Sequence, residues 1–117
     1  MTTAELLEEY FEASRRFWFV QTAQIVEQTD NSLTLHFQIT PQLLVQAFLS
    51  TRSDRLSLAL IGPAGRLYGR DGRKGQWHRH PFDDPSKHES TPEGVSPQPL
   101  LQFLSEVEDI LQANDLL

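Results

Sequence analysis

The segment "SLTLHFQI", residues 32–39, restricts the possible folds more than any other part of the chain. Apolar and polar residues alternate strictly along it, which predicts a β-strand with one buried face and one polar face. The inward residues are then Leu33, Leu35, Phe37 and Ile39, and the outward residues are Thr34, His36 and Gln38. A sheet with one apolar face needs a covering layer, and helices predicted at the two ends of the chain supply it.

The first helix and the strands follow from residue spacing. Thr2 and Glu5 have the spacing of a capping box, so a helix is predicted over about residues 3–15. Its solvent-facing acidic residues are expected to be Glu8, Glu9 and Glu12. Four strands are predicted at "FWFVQTAQIV", "SLTLHFQI", "LLVQAFLS" and "RLSLALIG". The segment "RLYGRDG" is predicted as a fifth short strand or an irregular edge.

A second helix is predicted after a segment rich in Pro, Asp and Ser. Ser96 and Pro97 fit its N-cap and first turn. Its broad apolar face is formed by Leu100, Leu101, Phe103, Leu104, Val107, Ile110 and Leu111. We expect part of this face, with Leu116 and Leu117, to form a homodimer or partner-binding surface. The prediction is one α+β domain over residues 1–117, an antiparallel sheet of four to five strands flanked by an N-terminal and a C-terminal helix.

Composition narrows the cellular context. The chain has no cysteine, which excludes disulfide frameworks and thiolate metal sites. No apolar run approaches the roughly 20 residues that cross a bilayer, and no signal peptide is apparent, so a cytoplasmic protein without membrane contact is expected. The net charge is −6, yet residues 51–80 hold seven basic and two acidic residues, a balance of +5. This basic segment predicts one positive face that attracts phosphate or an acidic partner.

Candidate catalytic residues lie in "GRDGRKGQWHRHPFDDPSKH", residues 69–88. His78 and His80 are two positions apart, so in an extended segment both project from the same face. Two imidazoles can serve as acid and base in cleaving RNA, which supplies its own 2′-hydroxyl as nucleophile. Arg70 and Arg79 are candidates to hold the phosphate. Nearby aromatic residues that can stack on a base are Tyr68 and Trp77.

These residues converge if the segment folds as a hairpin. "GRKG" would turn the chain and "QWHRH" would return beside "RLYGRD" as an antiparallel strand. We then expect His78 or His80 within hydrogen-bond reach of Asp71 or Arg70, with Arg73 and Lys74 exposed at the tip. A histidine that forms a hydrogen bond to Asp71 would have a raised pKa, which suits the role of general acid.

Three other interpretations fit the same residues. His78 and His80, with Asp83, Asp84 or His88, have the ligand types of a Zn²⁺ or Mn²⁺ site. A non-catalytic module could use the basic patch to bind an acidic protein or nucleic acid. The segment could also be an ordinary solvated hairpin in which Tyr68 and Trp77 belong to the core.

The segments "LYGRDG", "WHRHPFDDPSKH", "PEGV" and "PLLQFLSEVEDIL", in this order, resemble the TumE-like toxins of bacterial toxin–antitoxin operons. The similarity extends over most of the chain and is most specific from Tyr68 to about Val95. The chain lacks the "DGS"-like turn associated with many members, and it lacks an adjacent histidine pair. In the resemblance, Arg70 and Asp71 match the family's Arg–Asp pair, and His78, His80 and His88 match its histidines.

The resemblance implies an RNA-cleaving toxin that a cognate antitoxin neutralises. The predicted catalytic residues are Arg70, Asp71, His78, His80 and His88. The predicted nucleic-acid-binding residues are Arg66, Tyr68, Arg73, Lys74, Trp77 and Arg79. No cofactor and no metal is expected, and the expected partners are the antitoxin, RNA and, through the C-terminal helix, a second copy of the chain.

Overall fold

The computed structural model describes residues 1–91 and 97–117. Its elements, in chain order, are α1 (Thr3–Arg16), β1 (Thr22–Gln28), β2 (Ser32–Thr40), β3 (Leu43–Ser50), β4 (Arg55–Gly62), β5 (Gly65–Arg73), β6 (Gln76–His80), β7 (Glu89–Ser90) and α2 (Pro99–Ala113). The strands form one antiparallel sheet in the order β1 to β7, so every strand pairs with its neighbours in the chain. The predicted α+β class with terminal helices is confirmed.

Within residues 1–91 and 97–117 the sheet has seven strands, so the predicted number of four to five is wrong. The two additional strands, β6 and β7, are short and polar. They are defined by pairing rather than by apolar alternation, since β6 pairs with β5 and β7 pairs with β6. The first strand also begins later than predicted. Residues 17–20 form a turn in which Val20 N–H donates to the Phe17 carbonyl, and this turn buries Phe17 and Phe19.

The core lies between one face of the sheet and both helices. The predicted register of β2 is confirmed, because Leu33, Leu35 and Phe37 are fully buried. Residues at the matching positions of β3 and β4 are also buried, and they form one apolar cluster with residues from α1 and α2. We call the other side of β2–β6 the open face, because no helix in the described part of the chain packs over it.

Glu9 in α1 was expected on the solvent side, and this prediction is wrong. Its side chain is buried, and its Oε1 accepts hydrogen bonds from the backbone N–H groups of Leu100 (2.8 Å) and Leu101 (3.2 Å). Glu9 therefore caps the first turn of α2, whose own N-cap residue, Gln98, makes no side-chain capping bond. The predicted N-cap, Ser96, lies outside the described residues, and α2 begins at Pro99.

Burial raises the pKa of Glu9 from its ordinary value of 4.5 to about 6. Because the folded protein holds this proton more tightly than the unfolded chain, the resulting stabilisation is complete below pH 4.5 and lost as the pH rises through 6. Between about pH 4.5 and 7, the stability of the wild type should fall by about 2 kcal/mol relative to Glu9→Gln. Denaturant unfolding at several pH values checks this, with Glu8→Gln as the exposed control. A wild-type-to-Glu9→Gln difference that stays constant with pH would contradict it.

The apolar residues of α2 pack within the chain. Six of them are buried, namely Leu100, Leu101, Phe103, Leu104, Val107 and Leu111. Ile110 and Leu116 are partly buried against the same core, and Leu117 remains 53% exposed. The core thus uses most of this apolar face, whose surplus was expected to form a homodimer or partner-binding surface. No helix among the described residues is long and apolar enough to cross a membrane.

A histidine cluster on the open face

The hairpin of β5 and β6 brings the candidate residues side by side. A two-residue turn joins the strands, with positive φ at Lys74 (52°) and Gly75 (78°), as a type I′ turn requires. The predicted strand pairing is confirmed, because Asp71 lies opposite His78 and Gly69 lies opposite His80. Arg73 and Lys74 are exposed at the tip, as expected.

The sheet separates the predicted site into two groups. Directly paired residues share a face, and neighbours along a strand point to opposite faces. Arg70 pairs with Arg79, and both face the helix layer, whereas Asp71, His78 and His80 face the open side. The expected convergence of Arg70 with the histidines therefore does not occur.

Arg70 holds α2 against the sheet. Its Nε and Nη2 donate to the two carboxylate oxygens of Glu106 at 2.8 and 2.9 Å, and the Tyr68 hydroxyl donates to Glu106 Oε1 at 2.7 Å. Burial opposes ionisation of Glu106, but these hydrogen bonds outweigh it and lower the pKa of Glu106. Burial, together with the bond to Glu106, raises the pKa of Tyr68 to about 12. The Tyr68 ring also stacks on Phe103, with centroids 5.4 Å apart.

Two further predicted RNA contacts lie on the helix side as well. Arg79 Nε donates to Glu89 Oε2 at 3.1 Å, which joins β6 to β7. The Trp77 ring covers Gly72, where a Cβ atom would lie only 2.6 Å from the ring. These positions separate Arg79 and Trp77, like Arg70 and Tyr68, from the histidines.

Three histidines assemble on the open side. His88, in the segment between β6 and β7, lies with its ring centroid 4.3 Å from that of His80 and 6.3 Å from that of His78. His78 and His88 are exposed, whereas His80 is only 3% exposed. The cluster thus has two accessible imidazoles and one buried imidazole beneath them.

His80 is held in one orientation by the following loop. Its Nδ1 lies 3.1 Å from the Pro85 carbonyl oxygen. The same Nδ1 lies 3.2 Å from Arg66 Nη2. The carbonyl accepts only from a protonated Nδ1, whereas the guanidinium donates only to an unprotonated one, so the two contacts favour opposite tautomers of His80. Burial lowers the pKa of His80, and the nearby charges of Arg66 and His88 lower it further.

The predicted bond from a histidine to Asp71 is not formed. Both carboxylate oxygens of Asp71 accept from Arg55, at 3.2 and 3.4 Å. Such a bond was expected to raise the pKa of the histidine. This prediction is wrong for His80, whose pKa is lowered. Asp71 still lies on the same face as the histidines, opposite His78.

Arg66 is the cation that contacts the cluster. Its Nη2 lies 3.2 Å from His80 Nδ1 and 3.4 Å from the Pro85 carbonyl oxygen, to which it donates. Gly69 makes room for this side chain, because a Cβ atom there would lie 3.0 Å from Arg66 Cδ and 3.1 Å from the Leu58 carbonyl oxygen. A glycine inside a strand often marks such a close approach, and this signal was available in the sequence.

Replacing Arg66 with alanine should raise the pKa of His80 towards its ordinary value of 6.5, because a neighbouring positive charge is removed. The shift should be partial, since burial, the largest cause, remains. NMR titration of the imidazole signals measures it, and Lys74→Ala at the hairpin tip is the control. An unchanged His80 titration in Arg66→Ala would show that the Arg66 charge does not act on this ring.

The residues suggested as metal ligands do not form a metal site. Within residues 1–91 and 97–117, no three His, Asp or Glu side chains are placed to hold one ion. Asp83 and Asp84 are exposed, and Asp84 accepts from Ser86 Oγ at 2.7 Å within the loop. The loop is shaped by two turns, with Asp84 N–H donating to the Pro81 carbonyl and Lys87 N–H to the Asp84 carbonyl.

In comparisons with protein-family models, curated proteins and solved structures, no significant match to this chain is found. The geometry of the open face, and the sequence resemblance of residues 68–95, are therefore the grounds for assigning a function.

Proposed function

We propose that this protein is a metal-independent endoribonuclease and the toxin of a bacterial toxin–antitoxin pair. The observation that supports the activity is the exposed pair of imidazoles, His78 and His88, whose ring centroids lie 6.3 Å apart. A hydrogen bond extends about 3 Å from each ring, so a phosphodiester bound across the pair can be contacted by the two rings at different oxygens. Arg66 adds a positive charge beside them.

The reaction is an internal transesterification of RNA. The neutral imidazole of the pair removes the proton of the 2′-hydroxyl, and the 2′-oxygen forms a bond to phosphorus. The bond from phosphorus to the 5′-oxygen breaks, and the protonated imidazole donates its proton to that leaving oxygen. The products are a 2′,3′-cyclic phosphate and a 5′-hydroxyl, and no external nucleophile is consumed.

His80 and Arg66 have supporting parts in this scheme. His80 lies beneath His88 and is fixed by the Pro85 carbonyl, so it is a positioning residue that supports the His88 ring from below. Arg66 forms no ion pair with a carboxylate among the described residues, which leaves its charge available to the phosphate. Arg70 and Arg79 have no part in it, because carboxylates hold them on the other face.

The toxin assignment has a separate basis, the resemblance of residues 68–95 to the TumE-like family. Residues 92–95, which contain its "PEGV" segment, lie outside the described residues.

Expression of the chain should arrest bacterial growth, and co-expression of the neighbouring open reading frame should relieve the arrest. Growth that is unaffected by expression would contradict the toxin assignment.

Incubation of the purified protein with labelled RNA, with and without EDTA, tests the activity. We expect cleavage that resists EDTA and leaves 2′,3′-cyclic phosphate ends, and no cleavage of a matched oligonucleotide with 2′-deoxyribose throughout. Cleavage abolished by EDTA would support a metal site instead. Binding of RNA without any cleavage would support a non-catalytic module.

A further inference from the structure

We infer that the open face binds single-stranded RNA, with Phe48 as a stacking platform from which the strand crosses β4 and β5 to the histidine cluster. This inference rests on the proposed function and names the form of its substrate. It is supported by the distribution of charge across the sheet and by the position of Phe48.

The fold separates its charges by layer. On the open side of the sheet, β2–β6 contribute one carboxylate, Asp71, which pairs with Arg55. The edge strand β1 adds Glu27, which lies opposite Thr34, but β1 is five strands away from β6 and its histidines. Arg66, Arg73 and Lys74 lie on this face or at its hairpin tip. The helix layer is acidic, and α2 contains three acidic residues and no basic one. A polyanion is therefore attracted to the open face and repelled from the helix face, although the net charge is −6.

Phe48 is a half-buried aromatic residue on the otherwise polar row that leads to the cluster. In the pairing of the strands, Phe48 lies opposite Ser57, Ser57 opposite Asp71, and Asp71 opposite His78. Three strand spacings separate Phe48 from His78, a distance of about 14 Å. A few extended nucleotides span this distance, so a base on Phe48 and a phosphate at the histidines can belong to one strand.

The aromatic platform is the feature that selects the form of the RNA. In the row beside it, Gly69 lies between Ala59 and His80, and the Arg66 side chain with its positive charge lies over Gly69. A base can lie flat on an aromatic ring only when it is unstacked from its own neighbours. These features fit a single strand and not a duplex, whose bases are already paired and stacked.

Binding of a short fluorescein-labelled single-stranded RNA, measured by fluorescence anisotropy, tests the inference. The His78→Ala/His88→Ala double variant keeps the RNA intact and serves as the background for every comparison. In that background Phe48→Leu should raise the Kd by about fivefold or more, because stacking on the ring is lost while apolar volume is kept. Phe48→Tyr should restore binding, and Phe11→Leu, which changes an exposed aromatic on α1, should leave the Kd unchanged.

Three results would overturn the inference. One is an equal Kd for Phe48→Leu and Phe11→Leu, with thermal unfolding showing that both variants are folded. Another is duplex RNA that binds as tightly as the single strand. The third is polyglutamate competing as well as RNA, which would identify an acidic-protein surface. Wild-type protein that binds RNA at Phe48 but does not cleave it would overturn the proposed function and leave this inference standing.

Discussion

Replacing His78 or His88 with alanine should lower the rate of RNA cleavage by about 10²- to 10⁴-fold, the usual contribution of one acid or base group. Each ring is exposed, and neither belongs to the apolar core, so the free energy of unfolding should stay nearly the same. The double variant should be little slower than the slower single variant, because the two groups act in one concerted step. Single-turnover cleavage of a labelled RNA at saturating protein measures these rates.

His36→Gln is the matched control for this prediction. His36 also lies on the open face, but it is in β2, four strands from β6, and it contacts Gln46 at 2.8 Å. Its replacement should leave the single-turnover rate unchanged. The catalytic assignment would be wrong if His78→Ala and His88→Ala cleaved RNA as fast as His36→Gln does.

Replacing His80 with asparagine separates positioning from catalysis. The asparagine amide can donate to the Pro85 carbonyl, which lies 3.1 Å from His80 Nδ1, but the ring beside His88 is removed. We expect a smaller loss of rate than in His88→Ala and a changed pH profile, because His88 loses its neighbour. A loss equal to that of His88→Ala, with an unchanged pH profile, would contradict a positioning role.

Replacing Phe37 with alanine should lower the free energy of unfolding by about 3–5 kcal/mol. The side chain is fully buried in the centre of β2, and its ring lies 5.6 Å from that of Tyr10 in α1. Removal of the ring therefore leaves a cavity between the sheet and α1 that the packed surroundings fill only partly. Denaturant unfolding monitored by circular dichroism measures the loss.

Phe11→Ala is the comparison for the stability measurement. Phe11 is 53% exposed on the same helix as Tyr10, so its removal creates no internal cavity, and a change within about 0.5 kcal/mol is expected. A loss below about 1 kcal/mol for Phe37→Ala would place this ring at the edge of the core and contradict the register of β2.

Part of the site could have been placed more accurately from the sequence. Arg70 and Asp71 are neighbours in a strand, as are His78 and Arg79, so each pair must point to opposite faces. In the predicted hairpin, this alternation of faces along each strand places Arg70 and Arg79 on the side of the sheet opposite to the histidines. Gly69 likewise indicated a close approach at that position, although its partner, Arg66, was identifiable only in the fold.

The sequence by itself determined the elements that depend on neighbours in the chain. The capping box of Thr2 and Glu5 begins α1, the alternation of residues 32–39 sets the buried face of β2, and the turn at Lys74 and Gly75 pairs β5 with β6. Only the tertiary structure decided the contacts between distant residues. Glu9 became the cap of α2, Glu106 became the partner of Arg70, and His88 joined His78 and His80. The cause is that a carboxylate or imidazole has no periodic signature, and its partner is set by how helices and loops pack on the sheet.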